Sequence, residues 1–133
     1  MNPRVKEKWL AALRSGEYKQ EKDTLRIGDC FCCLGVLCDL QARETDNLHW
    51  WEEGCGGYNY FGHDLDLPAE VTDWAGLELS NPLIPVEIIR KIESAPLVLN
   101  KPAYSTVETI DLAGINDSGV PFSEIADLIE EAL

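Results

Sequence analysis

Asp29-Cys30-Phe31-Cys32-Cys33-Leu34-Gly35-Val36-Leu37-Cys38-Asp39 sets four of the chain's five cysteines within nine positions and one glycine inside an otherwise apolar run. Cys33, Leu34, Leu37 and Leu40 recur at helical spacing with Cys38 flanking them, so the stretch predicts a helix over about residues 31–42. Gly35 costs such a helix about 1 kcal/mol against Ala, which points to a close packing contact at that position. The thiols then serve as small core hydrophobes.

Working outward, Asn2-Pro3 is a capping residue followed by proline at the first helical position. Val5, Trp9, Leu10 and Leu13 make an apolar stripe and Gly16 a stop, predicting a helix over about 3–14. Tyr18 to Ile27 is polar and short, a loop with one strand at most. His49-Trp50-Trp51-Glu52 and Tyr58-Asn59-Tyr60-Phe61 flank Gly54-Cys55-Gly56-Gly57, the pattern of a hairpin of aromatic strands.

Asp66-Leu67-Pro68 opens a short helix through Val71, Trp74 and Ala75 that Gly76 ends. Val86, Ile88, Ile89 and Ile92 favour a helix inside the proline-punctuated stretch 78–102. Ser105 with Glu108 predicts a capping box and a helix to about Leu112, with Gly114 as its stop; Asn116–Gly119 predicts a turn. Phe122, Ile125, Ala126, Ile129 and Leu133 mark a last helix. The expectation is one α+β domain over residues 1–133, several helices packed around a small antiparallel sheet.

The 133 residues carry 24 acids against 11 bases, a net charge of −13. Residues 1–26 hold seven bases and four acids, for +3; residues 27–133 hold four and twenty, for −16. That balance argues against duplex nucleic acid and anionic lipid as partners. No apolar run reaches the ~18 residues of a membrane span, and Met1 to Lys8 lacks the apolar core of a signal peptide. An odd, bunched set of cysteines without such a signal fits reduced thiols in a cytoplasm.

Zinc sites want paired ligands at wider spacing; Cys30, Cys32 and Cys33 are too close to converge, so no metal and no cofactor are expected. Cys32 or Cys33, opening a helix, has the position of a cysteine nucleophile, with His49 or His63 as base, which leaves a cysteine hydrolase as one alternative. Phe122 to Ile129 resembles the first helix of a helix-turn-helix, but no recognition helix follows and its acids would repel phosphate. The acidic body supplies another alternative, an inhibitor of a host defence protein or nuclease.

The basic segment is the most suggestive surface. Arg14, Lys19, Lys22 and Arg26 suit phosphate, Gln20 suits a base edge, and Tyr18 can stack. The hairpin offers Trp50, Trp51, Tyr58 and Tyr60, with at least one of Trp50 and Trp51 and one second-strand aromatic expected on a face away from the core. The candidate ligand-binding residues are therefore Arg14, Tyr18, Lys19, Gln20, Arg26, Trp50, Trp51, Tyr58 and Tyr60.

Arg14 to Gln20, Leu25-Arg26, Phe31 to Asp39, Leu67-Pro68 with Trp74 to Leu77, and Ile115 to Gly119 with Phe122 to Ala126 together resemble a widespread family of short bacteriophage and prophage proteins. The resemblance covers nearly the whole chain; residues 80–103 exceed the family's usual connection. It implies no activity, but it implies a setting, the cytoplasm of an infected host, where small accessory proteins counter defence. Sequestration of a nucleotide immune signal, without catalysis, is the expectation that follows. Nanomolar binding takes about 12 kcal/mol, more than one exposed ion pair supplies, so a pocket shared by a homodimer is expected.

Overall fold

A computed structural model describes residues 1–46, 49–104 and 106–133. The cysteine-rich stretch divides three ways. Cys30–Phe31 is a strand, Cys32 is the cap, and the helix runs Cys33–Glu44, two residues later than its periodicity suggests. Cys32 stays extended and its Sγ accepts a hydrogen bond from the Gly35 N–H at 3.4 Å. Cys33 to Asp39, Gln41 and Ala42 are all buried, whereas Leu40 is only partly so. The helix is thus an axis enclosed on nearly every side rather than a one-sided amphipathic element, and this is why apolar residues fill its whole circumference.

Among the described residues seven α-helices follow in chain order: α1 Pro3–Arg14, α2 Cys33–Glu44, α3 Ala69–Ala75, α4 Val86–Ile89, α5 Ala95–Leu99, α6 Leu112–Asp117 and α7 Phe122–Ala132. In α1, Asn2 Oδ1 accepts from the N–H groups of Arg4 and Val5, and Val5, Trp9 and Leu13 are buried. Trp9 Nε1 donates to the Cys33 carbonyl, 3.0 Å, tying α1 to the start of α2. On its other side α1 lies along α7, which buries Phe122, Ile125, Ala126, Leu128 and Ile129. The short helix α3 ends at Gly76 in the left-handed conformation its sequence predicts.

The strands are β1 Lys19–Gln20, β2 Arg26–Ile27, β3 Cys30–Phe31, β4 Trp50–Glu52, β5 Gly57–Tyr60, β6 Leu83–Pro85 and β7 Thr109–Asp111. The first five form one sheet in the order β1-β3-β2-β5-β4. Its β1–β3 pair is parallel, so the sheet is mixed rather than wholly antiparallel. The aromatic hairpin forms as expected, Trp50 facing Tyr60 and Glu52 facing Tyr58. The polar segment 18–27 contributes two strands where at most one was expected, each anchored by pairing with a neighbour rather than by its own apolar pattern.

A second, two-stranded sheet pairs β6 with β7, placing Ile84 opposite Ile110. This corrects the expected helix ending near Leu112. Thr109-Ile110-Asp111 is a strand, and Asp111 caps the helix that begins at Leu112, its carboxylate accepting the Gly114 N–H at 2.9 Å. Gly114 lies in that helix's first turn, and Asn116 and Asp117 are its last residues rather than a turn. Ser105, the proposed cap, is outside the described residues. One buried cluster joins residues of α1, α2, α3, α6, α7 and both sheets, and the protein is a single α+β domain.

Candidate functional site: a ribbon of arginines and aromatic rings

Pairing register decides which side chains meet. Arg26 faces Phe31 on one side and Tyr58 on the other; Tyr58 and Tyr60, two apart on β5, share that face with Trp50. On it the Arg26 guanidinium lies 3.9 Å from the Tyr58 ring centre, 5.1 Å from Phe31 and 5.2 Å from Trp50. Its Nε donates to the Gly28 carbonyl, 2.7 Å. Among the described residues no carboxylate pairs with Arg26, although the chain has 24 acids.

Beside this cluster sits Asp39 of α2, nearly buried. One carboxylate oxygen accepts from Tyr18 Oη at 2.6 Å and from Arg43 Nε at 3.0 Å; the other accepts from Trp50 Nε1 at 3.1 Å. Burial, then the hydrogen bond to Asp39, pushes the Tyr18 phenol above its ordinary pKa, so it stays a donor. The Tyr18 ring stands edge-on to Phe31, centres 5.2 Å apart, and Arg43 lies 5.3 Å from the Tyr18 centre. Guanidinium, ring, ring, guanidinium, ring is the resulting chain of contacts: Arg43, Tyr18, the buried Phe31, Arg26 and Tyr58, with Trp50 alongside.

Of the nine expected site residues, Tyr18, Arg26, Trp50 and Tyr58 come together in this ribbon. Arg14 does not join them; its guanidinium pairs with Asp127 at 2.8 Å and Glu130 at 3.1 Å across the α1–α7 interface. Gln20 is structural, its Nε2 donating to Asn116 Oδ1 and to the Val120 carbonyl. Tyr60 is fully buried and donates to Gln41 Oε1, 2.8 Å. Lys19 and Trp51 sit one residue out of phase with Gln20 and Trp50, so both face the opposite side of the sheet. Trp51 is 70% exposed there, as expected for one tryptophan of the pair. Tyr58 and Tyr60, the two aromatics of β5, share the inner face because they are two residues apart; the exposed aromatic of the second segment is Phe61, just past the strand.

Residues 1–133 match the model of a domain of unknown function, DUF8296. The chain belongs to the DUF8296 family. No curated protein and no solved structure matches it. Asp39, Arg43 and Phe31 are the ribbon residues that sequence reasoning missed. The i, i+4 spacing of Asp39 and Arg43 was a usable signal for the ion pair, but nothing local placed it beside Tyr18.

Three of the five thiols of this DUF8296 chain pack into the core. Cys32, Cys33 and Cys38 are buried, and burial outweighs the amides at the start of α2: the Cys32 thiol is pushed up to about 11, and those of Cys33 and Cys38 well above the ordinary value. That is the reverse of the activation a helix-start nucleophile needs. His63 is engaged with Asp66, Nδ1 to Oδ1 3.0 Å. Among the described residues no group of three or more His, Cys, Asp or Glu could hold a metal ion, and no helix is long and apolar enough to cross a membrane.

Proposed function

We propose that this protein binds a nucleotide without transforming it, using the Arg26 ribbon, and that it serves a phage by sequestering a nucleotide immune signal in the host cytoplasm. The observation that carries the reading is Arg26: a half-buried cation with no carboxylate partner among the described residues, held among three rings in a chain of net charge −13. A guanidinium fixed this way keeps its terminal N–H groups for two oxygens of a phosphate, and Tyr58 and Trp50 offer faces for a base. The site-level role narrows to Tyr18, Arg26, Trp50 and Tyr58, since Arg14, Gln20 and Tyr60 already have internal partners.

Phage origin is supported by the sequence resemblance across the cysteine-rich stretch. A one-sided ribbon leaves half of a bound nucleotide in water, so a second copy completing the enclosure supports the homodimer. The test is titration of the protein with AMP and GMP, followed by tryptophan fluorescence with Trp50 as reporter. Arg26→Gln weakens binding about tenfold or more, the worth of one charge-assisted contact, while Arg14→Ala leaves it unchanged. Equal binding by wild type and Arg26→Gln rejects the reading.

A second reading, an acidic protein that occupies a basic host partner, is favoured by a cleft of about 450 Å³ that Asp23, Asp66 and Asp117 line with Thr24 and Asn81. It predicts salt-sensitive association that Asp23→Asn with Asp117→Asn abolishes and Arg26→Gln does not affect.

A further inference from the structure

The ribbon has two guanidinium groups, and the nucleotide-binding reading so far uses one. Arg43 engages Asp39 through Nε alone; among the described residues its two terminal nitrogens have no partner, and its side chain is 66% exposed. Tyr18 and Phe31 lie between Arg43 and Arg26: Arg43 is 5.3 Å from the Tyr18 centre, the two rings are 5.2 Å apart, and Arg26 is 5.1 Å from the Phe31 centre. Tyr18 and Phe31 thus link the two cations through ring contacts. Two guanidinium groups with terminal nitrogens to offer, joined through rings, suit a ligand with two phosphate groups spaced by a nucleoside.

We propose that Arg43 is a second anion-binding residue and that the ligand class is a dinucleotide, linear or cyclic, rather than a mononucleotide. The inference rests on the nucleotide-binding reading above and specifies its ligand. Asp39 ties the ribbon together. Its nearly buried carboxylate accepts hydrogen bonds from Arg43, Tyr18 and Trp50, the last beside Arg26. Three donors converging on one carboxylate restrain those side chains, which lowers the entropy lost when a ligand seats on them. Alternation of cations with rings is also the arrangement by which proteins hold a nucleic acid strand, phosphate on cation and base on ring. Here the ribbon is only two cations long, and the acidic body around it disfavours a longer polyanion.

The test compares AMP, the linear diadenylate pApA and cyclic di-AMP by calorimetric titration against wild type, Arg43→Gln, Arg43→Lys and Arg26→Gln, with thermal melts to establish that each variant is folded. The expected result is that at least one dinucleotide binds wild type about tenfold or more tightly than AMP. Arg43→Gln removes that preference, Arg43→Lys restores part of it, and Arg26→Gln weakens all three ligands. A dinucleotide preference that survives Arg43→Gln overturns the inference, as does wild type binding AMP and both dinucleotides alike. In either case the single-site reading stands on the AMP data. If neither AMP nor a dinucleotide binds wild type, that reading falls as well.

Discussion

Replacing Gly35 by alanine tests how α2 is seated. A Cβ on Gly35 would lie 1.9 Å from the Leu25 carbonyl oxygen and 2.8 Å from its carbon. Leu25 cannot yield cheaply: it is fully buried, its N–H is bonded to the Asp64 carbonyl at 2.7 Å, and its carbonyl accepts from Cys32 N–H at 3.2 Å. Relief to ordinary contact demands that two backbone segments part by more than an ångström. Alanine gains about 1 kcal/mol of helix propensity. Against this stand overpacking, about 3 kcal/mol where the obstacle is backbone, and about 1 kcal/mol for the strained Cys32–Leu25 hydrogen bond.

The net expectation is a loss of about 3 kcal/mol, or a melting point lower by about 10 °C for a domain of this size. Urea titration followed by tryptophan fluorescence measures it, with Gly54→Ala as control, since nothing lies within 4 Å of that position. Gly54→Ala should change stability by no more than about 0.5 kcal/mol. A Gly35→Ala variant as stable as wild type would refute the close approach of α2 to Leu25.

Two further outcomes follow from buried polar and thiol groups. Asn116→Ala should cost about 3 kcal/mol in the same titration, because Asn116 is fully buried, accepts from Gln20 Nε2 and the Cys33 N–H, and donates to the Glu21 carbonyl, so that the Cys33 N–H and the Glu21 carbonyl lose this partner when it goes. The buried thiols predict alkaline sensitivity. Cys32 titrates higher folded than unfolded, so its contribution is complete below the ordinary thiol value and is lost as pH rises toward about 11; Cys33 and Cys38 shift the same way. Stability should be flat from pH 6 to 8 and fall above about 9, by roughly 1.4 kcal/mol per pH unit for each thiol that ionises only on unfolding. Alkylation of the folded protein should reach exposed Cys55 first and spare Cys32, Cys33 and Cys38; rapid modification of Cys32 near neutral pH would contradict the burial and revive the nucleophile.

The sequence by itself determined the elements whose signals are local. Asn2-Pro3 and Gly16 bound α1, Leu67-Pro68 and Gly76 bound α3, the glycines at 54–57 turn the hairpin, and Gly35 announced a close approach. Each rests on a cap, a left-handed residue or a missing Cβ, which act within a few residues. Strands two or three residues long carry no period to detect, so β1, β2, β3 and β7 emerged only from their partners. The cation and aromatic types of the site were likewise visible, but not their grouping. Whether Arg14 or Arg43 stands free depends on α7 packing against α1 and on α2 presenting Asp39 to Tyr18 and Trp50, contacts between residues up to 116 positions apart. One-residue phase in β1 and β4 then sent Lys19 and Trp51 to the opposite face from Arg26. Register and helix packing are properties of pairs of segments, so only the tertiary structure could sort nine candidates into a ribbon, a core and an outer face.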